Sequence, residues 1–300
     1  MKDIGKILAY FVAVIALGAL LAPPLYWAGR AVASRGVLQL LAETDFQKFF
    51  NRAMLVAALV LIWPTVRWLR VGGVRELGLE PDPRWWKRAV AGYLIAGLLV
   101  AIMSGAYLST EIYRWKKEPL AHLEKVWPLF FSAAVVALLE EALFRGGILG
   151  LFRRTLGPWP AIIATSAIFS AVHFLKPDER VEVTSVDWLS GFELIPHVFH
   201  QFTQPLLLLA HFTTLVVLGL MLADVTVRTR SLWMAIGLHA GLVFVKMAFS
   251  KLTKRESEHL PWIGEKLEIG LVPVCVILIM WLSARLWLRY VDHRSDPEAR

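Results

Sequence analysis

Long apolar runs separated by short charged loops make up almost the whole chain. A helix needs about 20 predominantly apolar residues to cross the hydrocarbon of a bilayer. Ile7 to Gly29, Ala89 to Thr110 and Thr155 to Leu175 reach that length without an Asp, Glu, Lys or Arg, and Leu194 to Ala223 holds another span behind an irregular lead-in. Ala53 to Val66, Ser231 to Val245 and Ile269 to Ala284 are shorter. Lys or Arg flanks each of them, with long stems that reach back to the interface. An eighth run begins near Val126 and is interrupted well inside by Glu140, Glu141 and Arg145. The pattern predicts an all-α polytopic membrane protein, a bundle of about eight transmembrane helices. Residues 1–300 show no repeat, low-complexity tract or flexible linker, so they read as a single transmembrane domain. Arg67 to Arg88, with Trp85-Trp86, reads as an interfacial anchor, and Lys176 to Glu193 as the longest polar connection.

Composition agrees: 57% of residues are hydrophobic and 19% charged, against about 25% charged in soluble domains. A net charge of +8 raises the question of nucleic acid. The basic residues are dispersed over the loops, which points to membrane anchoring and excludes a nucleic-acid face. Eight spans put both termini on one side; that side carries 17 Lys or Arg and 10 acids, against 15 and 14 on the other. The bias favours cytoplasmic termini, in a bacterial cytoplasmic membrane. Cys275 is the single cysteine, so no intramolecular disulfide or cysteine-rich metal site is available. Ala31-Val32-Ala33 loosely resembles a signal cleavage site, but the preceding apolar run is too long for a signal peptide.

Ionisable groups inside a span are costly and commonly mark function. Glu141 and Arg145 are spaced i,i+4, acid first, and pair on one helical face; a structural role suits them. Glu140 lies about 100° around the helix, without that partner and in line with Phe144. Burial there raises a carboxyl pKa towards the range of a general base. His173 follows Phe169 by one turn on the same face of the next span. His239 sits in Gly237-Leu238-His239-Ala240-Gly241, where small neighbours permit close helix approach. With a turn at Gly157-Pro158, Glu140 and His173 lie at similar depth, roughly 25 Å from it. His239 is only about 12 Å past Ser231, a mismatch that shrinks if the fourth helix projects beyond the membrane at Arg153 and Arg154. A metal reading stays open, with Glu140, His173 and His239 as zinc ligands; the metal-free reading is preferred because the sequence has no His-Glu-x-x-His run. His197, His200 and His211 read as an interfacial polar face and as second-choice metal or substrate contacts.

Glu140-Glu141 with Arg145, Phe169-x-x-x-His173 and a later His239 resemble the CAAX prenyl protease and bacteriocin-processing family, also called the Abi family. The resemblance spans about Val126 to Phe249. It implies an eight-helix, glutamic-type intramembrane endopeptidase in which Glu140 activates a water and His173 and His239 assist, with Glu141, Arg145 and Phe169 in support. It also implies a peptide or protein substrate with a membrane-associated segment, prenylated C-termini included; no cofactor is expected, with zinc as the alternative. The family pattern places Asn four residues after the last His; here that residue is Val243, which has no hydrogen bond to give an oxyanion. Two other functions remain open: a non-catalytic immunity or scaffold protein of the same fold, and a small transporter.

Overall fold

The computed structural model describes residues 2–293 apart from 37–38, 78, 120–123, 125, 176, 178–180, 182, 184, 204, 258 and 265. Several of these fall in the polar connection expected from Lys176 to Glu193, whose course therefore lies partly outside the described residues. The long helices are α1 (Lys2–Ser34), α2 (Phe46–Trp68), α3 (Trp85–Ser109), α4 (Trp127–Arg153), α5 (Pro158–Phe174), α6 (Pro205–Thr229), α7 (Trp233–Leu252) and α8 (Leu271–His293). All but α5 contain a segment long and apolar enough to cross a membrane, and α5 is a shorter apolar helix. The all-α polytopic architecture is as expected, and the chain is an integral membrane protein.

The chain divides into two compact units, one of residues 1–72 and 171–204 and the other of 73–170 and 205–300. In the first, α1 and α2 bury Ala19 and Ala22 against Phe46, Phe50 and Ala53, joined by Leu194 and Val198. Tyr10 Oη donates to the Ala58 carbonyl at 2.9 Å, so the polar tip of this buried ring is satisfied within the hairpin.

The second unit contains α3, α4, the start of α5, and α6 to α8. Lipid removes the hydrophobic drive between helices, so they pack by close approach of small residues. A side chain on Gly92 would meet the Met234 carbonyl at 2.6 Å; one on Gly237 would strike the Ala89 carbonyl, and one on Gly241 the Tyr93 carbonyl. The small residues around His239 thus do what their sequence suggests, bringing α7 against α3. On the lipid side Leu94, Leu98 and Ile102 of α3 and Leu278, Leu282 and Leu286 of α8 stay exposed.

Ion pairs and short strands mark the two ends of this unit. At one end Arg230 pairs with Glu80 at 2.6 Å, Arg88 with Asp82 at 2.8 Å, and Arg154 approaches Glu76. Asp224 of α6 holds Arg228 of its own helix and both Trp281 and Arg285 of α8. At the other end β1 (Tyr113–Trp115) pairs antiparallel with β2 (Thr253–Arg255), tying the exit of α3 to the exit of α7. We expect Gly237→Val to lower the melting temperature of the detergent-purified protein by several degrees, because an added side chain has only backbone to displace. An unchanged melting curve would show that α3 and α7 do not depend on this contact.

Candidate active site

The site begins with a change of helix type. α4 is α-helical over Trp127–Glu141, turns π-helical over Ala142–Ile148, and resumes as α-helix over Leu149–Arg153. Such wide turns recur at functional sites. Here the turn starts immediately after the two glutamates and carries Arg145. Leu143 to Ile148 are all buried, so the widened backbone is shielded from lipid, as exposed irregular backbone could not be. Apolar patterning predicts a regular helix through this stretch; Gly146-Gly147 is the one local signal of the departure.

Glu141 is fully buried, and its Oε1 accepts two hydrogen bonds, from Arg145 Nη1 at 2.9 Å and from His239 Nδ1 at 2.8 Å. The predicted Glu141–Arg145 pair is present. The link to His239 is the part that sequence spacing could not show, because the partners are 98 residues apart. A carboxylate can only accept, so His239 Nδ1 carries the proton and Nε2 is turned outward. On that side Glu140 Oε2 lies 3.9 Å away, beyond hydrogen-bond reach but within the span of one water molecule touching both atoms. Glu140 is half-buried, its side chain 19% exposed.

Aromatic rings wall the cluster. Phe169 of α5, fully buried, lays its face on the Arg145 guanidinium at 4.4 Å. It meets His239 edge-on at 6.2 Å and Phe144 at 5.1 Å. Arg145 also reaches the Gly219 carbonyl at 3.4 Å, where α6 comes close enough to α5 that a Gly219 side chain would meet Ser166 at 2.8 Å. A desolvated cation on an aromatic face gains about 2 kcal/mol, and the guanidinium shares its charge with Glu141.

The depth mismatch expected for His239 is resolved by an overshoot of α4. A side chain on Gly146 would lie 3.4 Å from Leu232, the residue just before α7, so α4 continues seven residues past the level at which α7 begins. Gly150 in that overshoot packs on the backbone of Leu77. Glu141 and His239 therefore come level although they lie at different distances from their helix ends.

Of the predicted residues, Glu140, Glu141, Arg145, Phe169 and His239 converge in the second unit. Val243 is half-buried one turn along α7 from His239. His173 stands half-buried in the last turn of α5, one turn beyond Phe169, and belongs to the first unit. Among the described residues no three His, Cys, Asp or Glu side chains are grouped to hold a metal ion. Of His197, His200 and His211, His197 is exposed in the first unit, the His200 side chain lies outside the described residues, and His211 is half-buried on α6 of the second. Cys275 is exposed on α8.

A family model described as type II CAAX prenyl endopeptidase Rce1-like matches residues 122–245. That segment is similar to the CAAX protease family. It contains both glutamates, the π turn, Phe169, His173, His239 and Val243, and leaves α1 to α3 and α8 unmatched. No curated protein matches the chain.

The matched segment thus encloses a buried ion pair as well as the candidate reacting groups. Removing one partner of such a pair costs about 3–5 kcal/mol. Arg145→Leu should sharply reduce folded yield, and Glu141→Leu with Arg145→Leu should recover much of it, because the two charges leave together. Equal yields of the single and double variants, measured by fluorescence size-exclusion chromatography, would refute this account of the pair.

Proposed function

We propose that the chain is an intramembrane endopeptidase that hydrolyses a peptide bond with a water activated by Glu140. The observation that carries this reading is the 3.9 Å gap between Glu140 Oε2 and His239 Nε2, with the second nitrogen of His239 held by Glu141. A water in that gap touches a carboxylate able to take its proton, and peptide hydrolysis needs that base beside a group to polarise the carbonyl. As imidazolium, His239 offers Nε2–H to the oxygen on which charge develops. Glu141 orients this imidazole and Arg145 fixes Glu141. The part of His173 as a second contact to the water rests on the Phe169-x-x-x-His173 motif alone. We take the water to act without a metal.

The substrates that fit are prenylated or otherwise membrane-associated peptides, supported by the family match over residues 122–245. The end of the second unit that carries Arg84, Arg88, Arg153, Arg154, Arg228, Arg230, Arg285 and Arg289 is the one we place in the cytoplasm, following the bias of basic residues to that side. His239 lies six residues inside α7 from that end, about 9 Å, so a cytoplasmic peptide meets the site without crossing the bilayer.

A second reading, a non-catalytic protein of the same fold, draws on Val243, which puts an apolar group where the family pattern has a donor. Glu140→Gln tests between the two. It should abolish cleavage of a prenylated peptide panel while leaving expression and melting temperature unchanged; residual turnover at wild-type rate would remove Glu140 from the mechanism.

Val243→Asn asks whether a donor is missing on this face of α7. One oxyanion donor is worth on the order of a hundredfold in rate, so we expect at least a tenfold gain in kcat. A flat rate with lowered stability would mean that His239 and backbone amides suffice.

A further inference from the structure

Away from the carboxylate and histidine centre, the second unit holds another paired cation. Lys246 of α7 pairs at 2.8 Å with Glu268, which lies in the segment leading into α8. Together they line a small cavity with Val100 and Met103 of α3, Thr214 of α6 and Leu242 of α7. Burial pushes the Glu268 carboxyl up, but Lys246, a backbone hydrogen bond and the nearby charge of His211 outweigh it and hold the group below its ordinary value. An apolar recess thus lies beside an anion held by a lysine.

Lys246 comes seven residues after His239. On one helix this returns to the same face within about 20° and rises about 10.5 Å. The length has a chemical counterpart. In a C-terminal Cys-a-a-X sequence, cleavage after the cysteine leaves three residues, and an extended chain covers about 3.3–3.6 Å per residue. The free carboxylate then lies about 10 Å from the scissile bond.

We infer that Lys246 receives the C-terminal carboxylate of the substrate, and that Glu268 keeps its place when no substrate is bound. The inference rests on the proteolytic reading for its choice of ligand. Replacing one carboxylate by another keeps the charge of Lys246 compensated throughout. Glu268 lies outside the spans, next to Gly270 at the entry to α8, and turns towards water or His211 as the substrate carboxylate enters. The leaving peptide is measured between two fixed points on one helix, His239 at the scissile carbonyl and Lys246 at the terminus. Chain-end recognition by this half-buried cation has the further effect of excluding internal sequences.

The test compares prenylated peptides ending in a free carboxylate with the same peptides ending in an amide. Cleavage is measured with the full chain, and binding is measured separately with the Glu140→Gln protein. A charge-assisted contact contributes about 1.5–3 kcal/mol, so the acid should be preferred over the amide at least tenfold in KM and in Kd, with kcat little changed. Lys246→Met should erase the preference by weakening the acid alone. Glu268→Gln should enlarge it, because the competing carboxylate is gone. A merely structural ion pair predicts instead that both variants impair acid and amide alike; that result, or an acid preference surviving Lys246→Met, overturns the inference. If no peptide is cleaved but the binding preference depends on Lys246, the carboxylate site stands and the proteolytic reading falls. If cleavage proceeds with no distinction between acid and amide, the reverse holds.

Discussion

Much of the second unit is organised around one carboxylate oxygen. Glu141 Oε1 receives Arg145 from its own helix and His239 from α7. Without the arginine, a bare anion sits in the bundle; without the histidine, the cation and anion form a closed pair unrelated to any chemistry. Arg145 then recruits α5 through the Phe169 ring and α6 through the Gly219 carbonyl. Four helices are registered by a network whose members are individually unfavourable to bury. Such a network stabilises less than it specifies, because a helix displaced by one turn leaves a charge uncompensated.

The π turn belongs to the same logic. By beginning at Ala142, it keeps Glu140 and Glu141 on regular helix while altering the path of the remaining turns of α4. Neighbouring glutamates on a helix point about 100° apart, and the two acquire different tasks from that angle. Glu141 turns into the protein and Glu140 stays partly open.

Several of these features were legible from residues 140–145 and 169–173 and the glycines beside His239, since helical spacing fixes which side chains share a face. The i,i+4 pair of Glu141 and Arg145, the fully buried Phe169 and the close approach at Gly237 arise from such local rules. The bond from Glu141 to His239 was not legible, and spacing alone gives Glu141 only a structural part. That bond depends on how far α4 slides past α7, a quantity with no local signature. The π turn is hidden for a related reason: Gly146-Gly147 equally suits ordinary close packing. Length misleads in one place, since α5 is only 17 residues long and Leu175 lies beyond its end.

The contact between Gly150 and Leu77 places the vertical alignment of the site in unexpected hands. The overshooting end of α4 rests on the short 3-10 turn Val74–Leu77, which lies outside the spans. The height of both glutamates relative to His239 is therefore set by a stop at the membrane edge, much as a bolt is seated by its head. Substitutions in that turn, remote from the cluster, act on the alignment of the glutamates and the imidazole, and natural variation there offers a means of shifting the site without altering a single residue of it.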